Sequence, residues 1–183
     1  MTENDTRTRL GALLLDGLWP GLDEAGLNVA EYDPDWQSPC QLGEPTPEGM
    51  IRWKPVPMEQ APDFAELESA LAGIGATLHP DVPALYGSLW CGLVDGLEHS
   101  GETVLLCTVW NEDELQRTVH DLAEHTRRQA AEFGGDITFP VAGTYGDLFF
   151  VLDNATGSIL LQEIGHRGGR KVAPSLAQFL TDL

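Results

Sequence analysis

Apolar residues recur along this chain in runs that switch between helical and strand-like periods. Leu10, Leu13, Leu14 and Leu18 fall on one face at helical spacing and predict a first helix over residues 5–18, capped by Asp5 and ended by Pro20-Gly21. Residues 31–62 hold seven of the twelve prolines together with Tyr32, Trp36 and Trp53, a composition that forbids a helix and predicts an ordered, extended wrap. Within it, residues 50–54 read as an edge strand, because the prolines that follow suit only a sheet margin. Phe64, Leu67 and Leu71 place a second helix over 63–72, ended by Gly73 and Gly75.

Beyond it, residues 79–85 read as a turn or short helix, 87–94 as a strand, and Glu98-His99-Ser100-Gly101 as a hairpin turn into a strand over 103–109. That last run is apolar at every alternate position on both sides, which predicts a central strand covered on both faces. The longest helix follows, over residues 111–133. Asn111 and Glu114 form a capping-box pattern, Leu115, Val119, Leu122, Thr126 and Ala130 repeat near 3.6 residues, and Gly134-Gly135 stops it. Strands are predicted at 136–141, 147–152 and 158–164, the last two flanking the five-residue loop Asp153-Asn154-Ala155-Thr156-Gly157. A closing helix from Pro174 carries Leu176, Phe179, Leu180 and Leu183 on one stripe. Consecutive strands joined by tight turns, with helices at the beginning, middle and end, predict a single α+β domain over residues 1–183 whose sheet is largely antiparallel.

Charge changes the picture most. Twenty-nine acidic residues against ten basic ones give a formal charge of −19. Between residues 10 and 51 there are eight acidic side chains and no basic one; between 55 and 116 there are eleven and again none; from 117 to 171 the balance is seven to six. Such a chain lacks the cationic footprint that neutralises phosphates, so nucleic acid is excluded as a direct partner and anionic lipid is repelled. The excess reads either as a solvating, salt-adapted coat that keeps the protein monomeric or as a concentrated negative face for a basic partner.

Catalytic and metal-binding patterns are sparse. Cys40, Cys91 and Cys107 are odd in number and lack CxxC spacing, with two in apolar runs; they read as core residues in a reducing cytosol. His120 and His125 are five apart, which spoils the shared helical face a metal pair needs, and His120 with Glu124 supplies only two ligands; no metal or cofactor is expected. Ser88 lacks the GxSxG elbow, and the basic, glycine-rich residues 165–171 read as a mobile turn rather than a phosphate cradle. Glu112-Asp113-Glu114 complements the positive end of the long helix's dipole. Trp110, just before the cap, reads equally well as a staple residue or an exposed binding aromatic. Asn154-Ala155-Thr156 reads as a turn, and no signal or membrane-spanning stretch is evident.

Several segments in order carry a family resemblance: Ser38-Pro39-Cys40, Arg52-Trp53-Lys54-Pro55, His79-Pro80, Leu85-Tyr86-Gly87-Ser88 and Thr108-Val109-Trp110-Asn111-Glu112-Asp113-Glu114. Phe149-Phe150-Val151 and Ser175-Leu176-Ala177-Gln178-Phe179-Leu180 complete the series. The chain resembles the Syd family of SecY-interacting proteins, within the SUKH superfamily, over nearly its whole length. The resemblance implies a non-enzymatic protein of compact α+β fold with an acidic concave face, cytoplasmic and peripheral on the inner membrane through SecY, in surveillance or regulation of the translocase. It directs attention to Glu112 and Asp113 as docking charges and to Trp53, Tyr86, Trp90 and Trp110 as aromatic anchors near the matched segments. Two other readings compete: a SUKH-type immunity protein presenting its acidic face to a basic toxin, and a small hydrolase whose nucleophile and base converge only in the fold.

Overall fold

A computed structural model describes residues 3–166 and 168–183. The chain opens with helix α1 (Glu3–Ala12), widens into a π-helical segment (Leu13–Leu18) and continues as α2 (Trp19–Glu24). Helical structure therefore runs past Pro20, where the apolar pattern alone predicts a stop. The Trp19 N–H reaches back five residues to the Leu14 carbonyl, and Pro20 falls in the first turn of α2. A missing N–H costs little in a first turn, and the wider π-turn draws the carbonyls away from the proline ring. Asp5, expected as a cap, lies inside α1.

The proline-rich wrap is ordered. It holds β1 (Val29–Glu31), β2 (Gln41–Leu42) and β3 (Met50–Trp53), which form an antiparallel sheet in the order β1-β3-β2. The strand expected at an edge is thus the centre of this sheet. Pro55 does not forbid that, because pairing ends before it: the last ladder bond runs from the Lys54 N–H to the Cys40 carbonyl at 2.8 Å. Strand β4 (Val56–Pro57) follows, then α3 (Ala65–Ala72) and α4 (Asp81–Gly87). Phe64, Leu67 and Leu71 are buried as the helical period requires. The strand expected over 87–94 is broken in two. Strand β5 (Leu89–Trp90) pairs with β4, and only after Gly92 and Leu93 does β6 (Val94–His99) begin.

Strand β6 turns through Ser100 and Gly101, both at positive φ (53° and 89°), into β7 (Glu102–Leu106), the geometry of a two-residue hairpin matched to strand twist. Helix α5 (Glu112–Phe133) then leads to β8 (Thr138–Gly143), β9 (Leu148–Asp153), β10 (Ile159–Glu163), β11 (Arg170–Ala173) and α6 (Leu176–Thr181). Strands β6 to β11 make one antiparallel sheet in the order β11-β10-β9-β8-β7-β6. Phe150 on one face of it packs against Phe179 of α6, ring centroids 4.9 Å apart. On the other face Phe149, Val151 and Pro140 meet Leu122 and His125 of α5. The fold is α+β, a sheet with helices on both sides.

Two further expectations are corrected. Strand β7 is not covered on both faces: Val104 and Leu106 are buried, while Leu105 and Cys107 stay half-buried and line a surface cleft. The basic, glycine-rich stretch is partly strand, since Arg170 and Lys171 pair with Leu161 and Leu160 at the sheet margin. Cationic side chains are tolerated at an edge, where they reach water and discourage pairing with another chain. Arg167 of that stretch lies outside the described residues.

The β9–β10 loop does more than turn. Asn154 is 8% exposed; its side-chain oxygen accepts the His79 N–H and its amide donates to the Thr77 carbonyl, both at 2.9 Å. The loop is thereby locked to the segment entering α4. Asn154→Ala removes two part-buried hydrogen bonds to backbone and should cost about 1–2 kcal/mol. In urea the unfolding midpoint falls while the denaturant slope stays unchanged; a midpoint equal to that of the parent contradicts the lock.

Candidate functional site

The N-terminus of α5 is the meeting point of segments far apart in sequence. Asn111 caps the helix by accepting the Glu114 N–H at 2.9 Å, and the Glu114 carboxylate accepts the Trp110 N–H at 2.5 Å, one residue before the predicted cap. Residues 36–40 clamp on the same turn. Ser38 donates its hydroxyl to the Trp110 carbonyl, Asn111 donates to the Gln37 carbonyl at 2.9 Å, and the Trp110 indole N–H donates to the Trp36 carbonyl at 2.9 Å. The Arg117 guanidinium sits 4.7 Å above the Trp36 ring. The Ser38-Pro39-Cys40 and Trp110–Glu114 segments, 72 residues apart in sequence at their Ser38–Trp110 contact, therefore form one rigid corner.

Two grooves open at this corner. The first, about 500 Å³, is lined by Ala30 and Glu31 of β1, Trp36, Leu105 and Cys107 at the end of β7, and by Tyr86, Leu93, Trp110 and Glu114. The second, about 520 Å³, is walled by Pro39, Met58, Trp90 and three carboxylates, Glu59, Asp63 and Glu112. Each of three chain segments contributes to both: Trp36 and Pro39, Cys91 and Trp90, Glu114 and Glu112. The grooves are therefore neighbours along these segments. Five carboxylates line them, and among the described residues no lysine or arginine does.

The residues singled out from sequence separate into three groups. Glu112 and Trp90 come together in the second groove, and Trp110, half-buried, borders the first. Its indole N–H is committed to Trp36, so it is both a packing residue and a groove wall. Asp113 is exposed but lines neither groove. Trp53 and Tyr86 are core residues: Trp53 is 1% exposed, its ring tilted against Trp19 with centroids 5.4 Å apart, and Tyr86 is 2% exposed with its hydroxyl donated to the Pro140 carbonyl at 2.8 Å. Burial holds the Tyr86 hydroxyl well above the ordinary tyrosine range. Trp53 lines neither groove, whereas Tyr86 is among the residues lining the first. Glu31, Trp36, Glu59, Asp63 and Leu93 escaped the sequence reading; all but Leu93 sit on or beside the proline-rich wrap, which has no period to reveal which way a side chain faces.

The chemistry available here is that of binding. Burial pushes the Cys107 thiol up to about 11 and raises Cys40 and Cys91 as well, so these thiols stay protonated at neutral pH. His120 turns to Glu66 of α3, 3.1 Å away, rather than sharing a ligand position with Glu124, which pairs with Arg127.

A sequence profile described as "Syd protein (SUKH-2)" matches residues 22–183, so α1 and the π-helical segment lie ahead of the matched region. A protein named Protein Syd from Pseudoalteromonas atlantica is 32% identical over 163 residues, covering 88% of this chain and 86% of the relative. Proteins of the same name from Aeromonas salmonicida and Hahella chejuensis are each 32% identical, covering 86% and 80% of this chain and 84% and 73% of those relatives.

Proposed function

This chain belongs to the Syd protein (SUKH-2) family, and from that premise we propose that it docks on the basic cytoplasmic loops of SecY, the channel subunit of the protein translocase. The single observation that carries this reading is the pair of adjoining grooves lined by Glu31, Glu114, Glu59, Asp63 and Glu112 with no cation among them. Cytoplasmic loops of membrane proteins carry an excess of lysine and arginine, so the two surfaces are complementary in sign. Such complementarity steers encounter and raises association rates by about 10- to 1000-fold at low salt. Trp90 and Trp110 are the aromatic contacts of this surface, and Glu112 its central charge, with Asp113 adding to the field from outside the grooves. The protein then works as a monomer held peripherally at the cytoplasmic side of the inner membrane, through SecY rather than through lipid, in surveillance or regulation of the translocase.

Retention on SecYEG in lipid nanodiscs tests this reading. Binding should be strong at low salt, weak at about 0.5 M, where screening acts within a few ångströms, and absent from nanodiscs without SecYEG. Equal retention on empty nanodiscs contradicts the partner. Retention that ignores salt contradicts the electrostatic basis. No retention at either salt shifts the acidic face to the immunity reading, with a basic toxin as its ligand.

A further inference from the structure

The first groove is bounded by a sheet edge that nothing in the chain completes. In β1 the ladder to β3 uses alternate residues: the Trp53 N–H donates to the Asn28 carbonyl and the Tyr32 N–H to the Gly49 carbonyl. With Val29 opposite Arg52 and Glu31 opposite Met50, the residues between these bonds form non-hydrogen-bonded pairs. The backbone N–H and C=O groups of Val29 and Glu31 therefore point away from β3, toward the open side of β1. Among the described residues, no hydrogen-bond partner outside β3 meets them.

Three other edges of this protein are defended. Strand β6 is interrupted by a register break between Val94 and Leu97, with Gly96 at φ +82° and Asp95 held by the Tyr145 hydroxyl at 2.5 Å. Strand β11 presents Arg170 and Lys171, and β4 is two residues long and contains Pro57. Strand β1 has no bulge, proline or lysine. Its surroundings are apolar as well as acidic: Leu27, Val29 and Leu93 are 47%, 42% and 60% exposed. Leu27, just before β1, reaches toward β6: its Cδ1 lies 3.4 Å from where a Gly96 Cβ would stand.

We propose that a basic, extended segment of the partner adds to β1 as a new strand, exchanging hydrogen bonds with the backbone of Val29 and Glu31. Its apolar side chains lie on Leu93 and Leu105, and its cationic side chains face Glu31 and Glu114. The inference rests on the docking reading above and assigns it a binding mode, strand addition, in which main-chain bonds supply affinity and alternate side chains supply selectivity. The occupant is committed to a cationic chain because Glu31 and Glu114 line the groove and, among the described residues, no lysine or arginine does.

Amide hydrogen exchange on the whole protein, alone and with SecYEG nanodiscs at low salt, tests the mode. Exchange in residues 28–32 should slow by about tenfold or more when the complex forms. Complex formation with unchanged exchange there overturns strand addition and leaves docking intact; absence of any complex overturns the docking reading itself. A pair of variants gives a second readout that does not depend on exchange. Val29→Pro removes a donor that β3 does not use and should weaken binding by about three- to tenfold, while Val29→Ala, which keeps it, stays near the parent. Equal affinities for the two variants contradict the mode.

Discussion

Replacing Gly92 with alanine will destabilise the protein by about 3 kcal/mol, a large share of the roughly 5–15 kcal/mol typical of a domain. The reason is steric, not conformational. A Cβ at this position would stand 2.5 Å from Cε2 and 2.8 Å from Cδ2 of the Trp53 indole. The ring cannot retreat, because it is enclosed in the core and packed against Trp19. Gly92 cannot retreat freely either, since its carbonyl accepts the Thr108 hydroxyl at 2.9 Å and the next N–H before it, on Cys91, donates to the Val109 carbonyl at 2.9 Å. Urea unfolding followed by tryptophan fluorescence should show the midpoint falling sharply. Pairing the change with Trp53→Phe should recover part of the loss, because the two residues are in direct contact and their effects are coupled. A Gly92→Ala protein within about 0.5 kcal/mol of the parent would mean that the corner is softer than this packing requires.

The second large effect is on binding. The double reversal Glu59→Lys, Glu112→Lys places two cations in the second groove, where the parent has none. Both side chains are exposed, and neither caps a helix or holds a buried partner; Glu112 accepts only an exposed contact from Gln116. Stability should fall by only about 1 kcal/mol, through the dipole contact that Glu112 makes in the first turn of α5, while affinity for SecYEG falls about 10- to 100-fold at low salt, mainly through slower association. Asp63 is left in place because its carboxylate accepts the Ala65 N–H at 2.8 Å at the start of α3. The double reversal Glu132→Lys, Glu163→Lys changes the net charge by the same amount at exposed positions that line neither groove; it is the matched control and should bind like the parent. Equal losses in both would reduce the effect to net charge alone.

The elements legible in the sequence are those with a local cause. The capping box and the glycine stop fix both ends of α5, and the Leu176, Phe179 and Leu180 stripe fixes α6. The Ser100-Gly101 turn and the Asp153–Gly157 loop follow from residues that accept or stabilise turn geometry. What the sequence misplaced depends on distant partners. Helix continuation through Pro20 needs the π-turn before it, β3 becomes central only because β1 and β2 flank it, and β11 exists because β10 offers an edge. The same limit governs the site. Charge excess in the first two-thirds of the chain is readable, but Trp53 and Trp90 look alike in sequence, and only the fold encloses one and leaves the other on a groove. The grooves themselves are built by bringing residues 36–40 and 90–93 to the N-terminus of α5, an arrangement that no local pattern records.

The central claim, that this acidic corner is the surface that meets SecY, is tested most directly by site-specific photocross-linking. A photoreactive residue placed at position 59 or 112, each lining the second groove, should form adducts with the cytoplasmic loops of SecY at low salt and lose them at about 0.5 M. The same residue at position 163 should form none. Adducts from position 163, or equal yields from all three positions, would contradict the account.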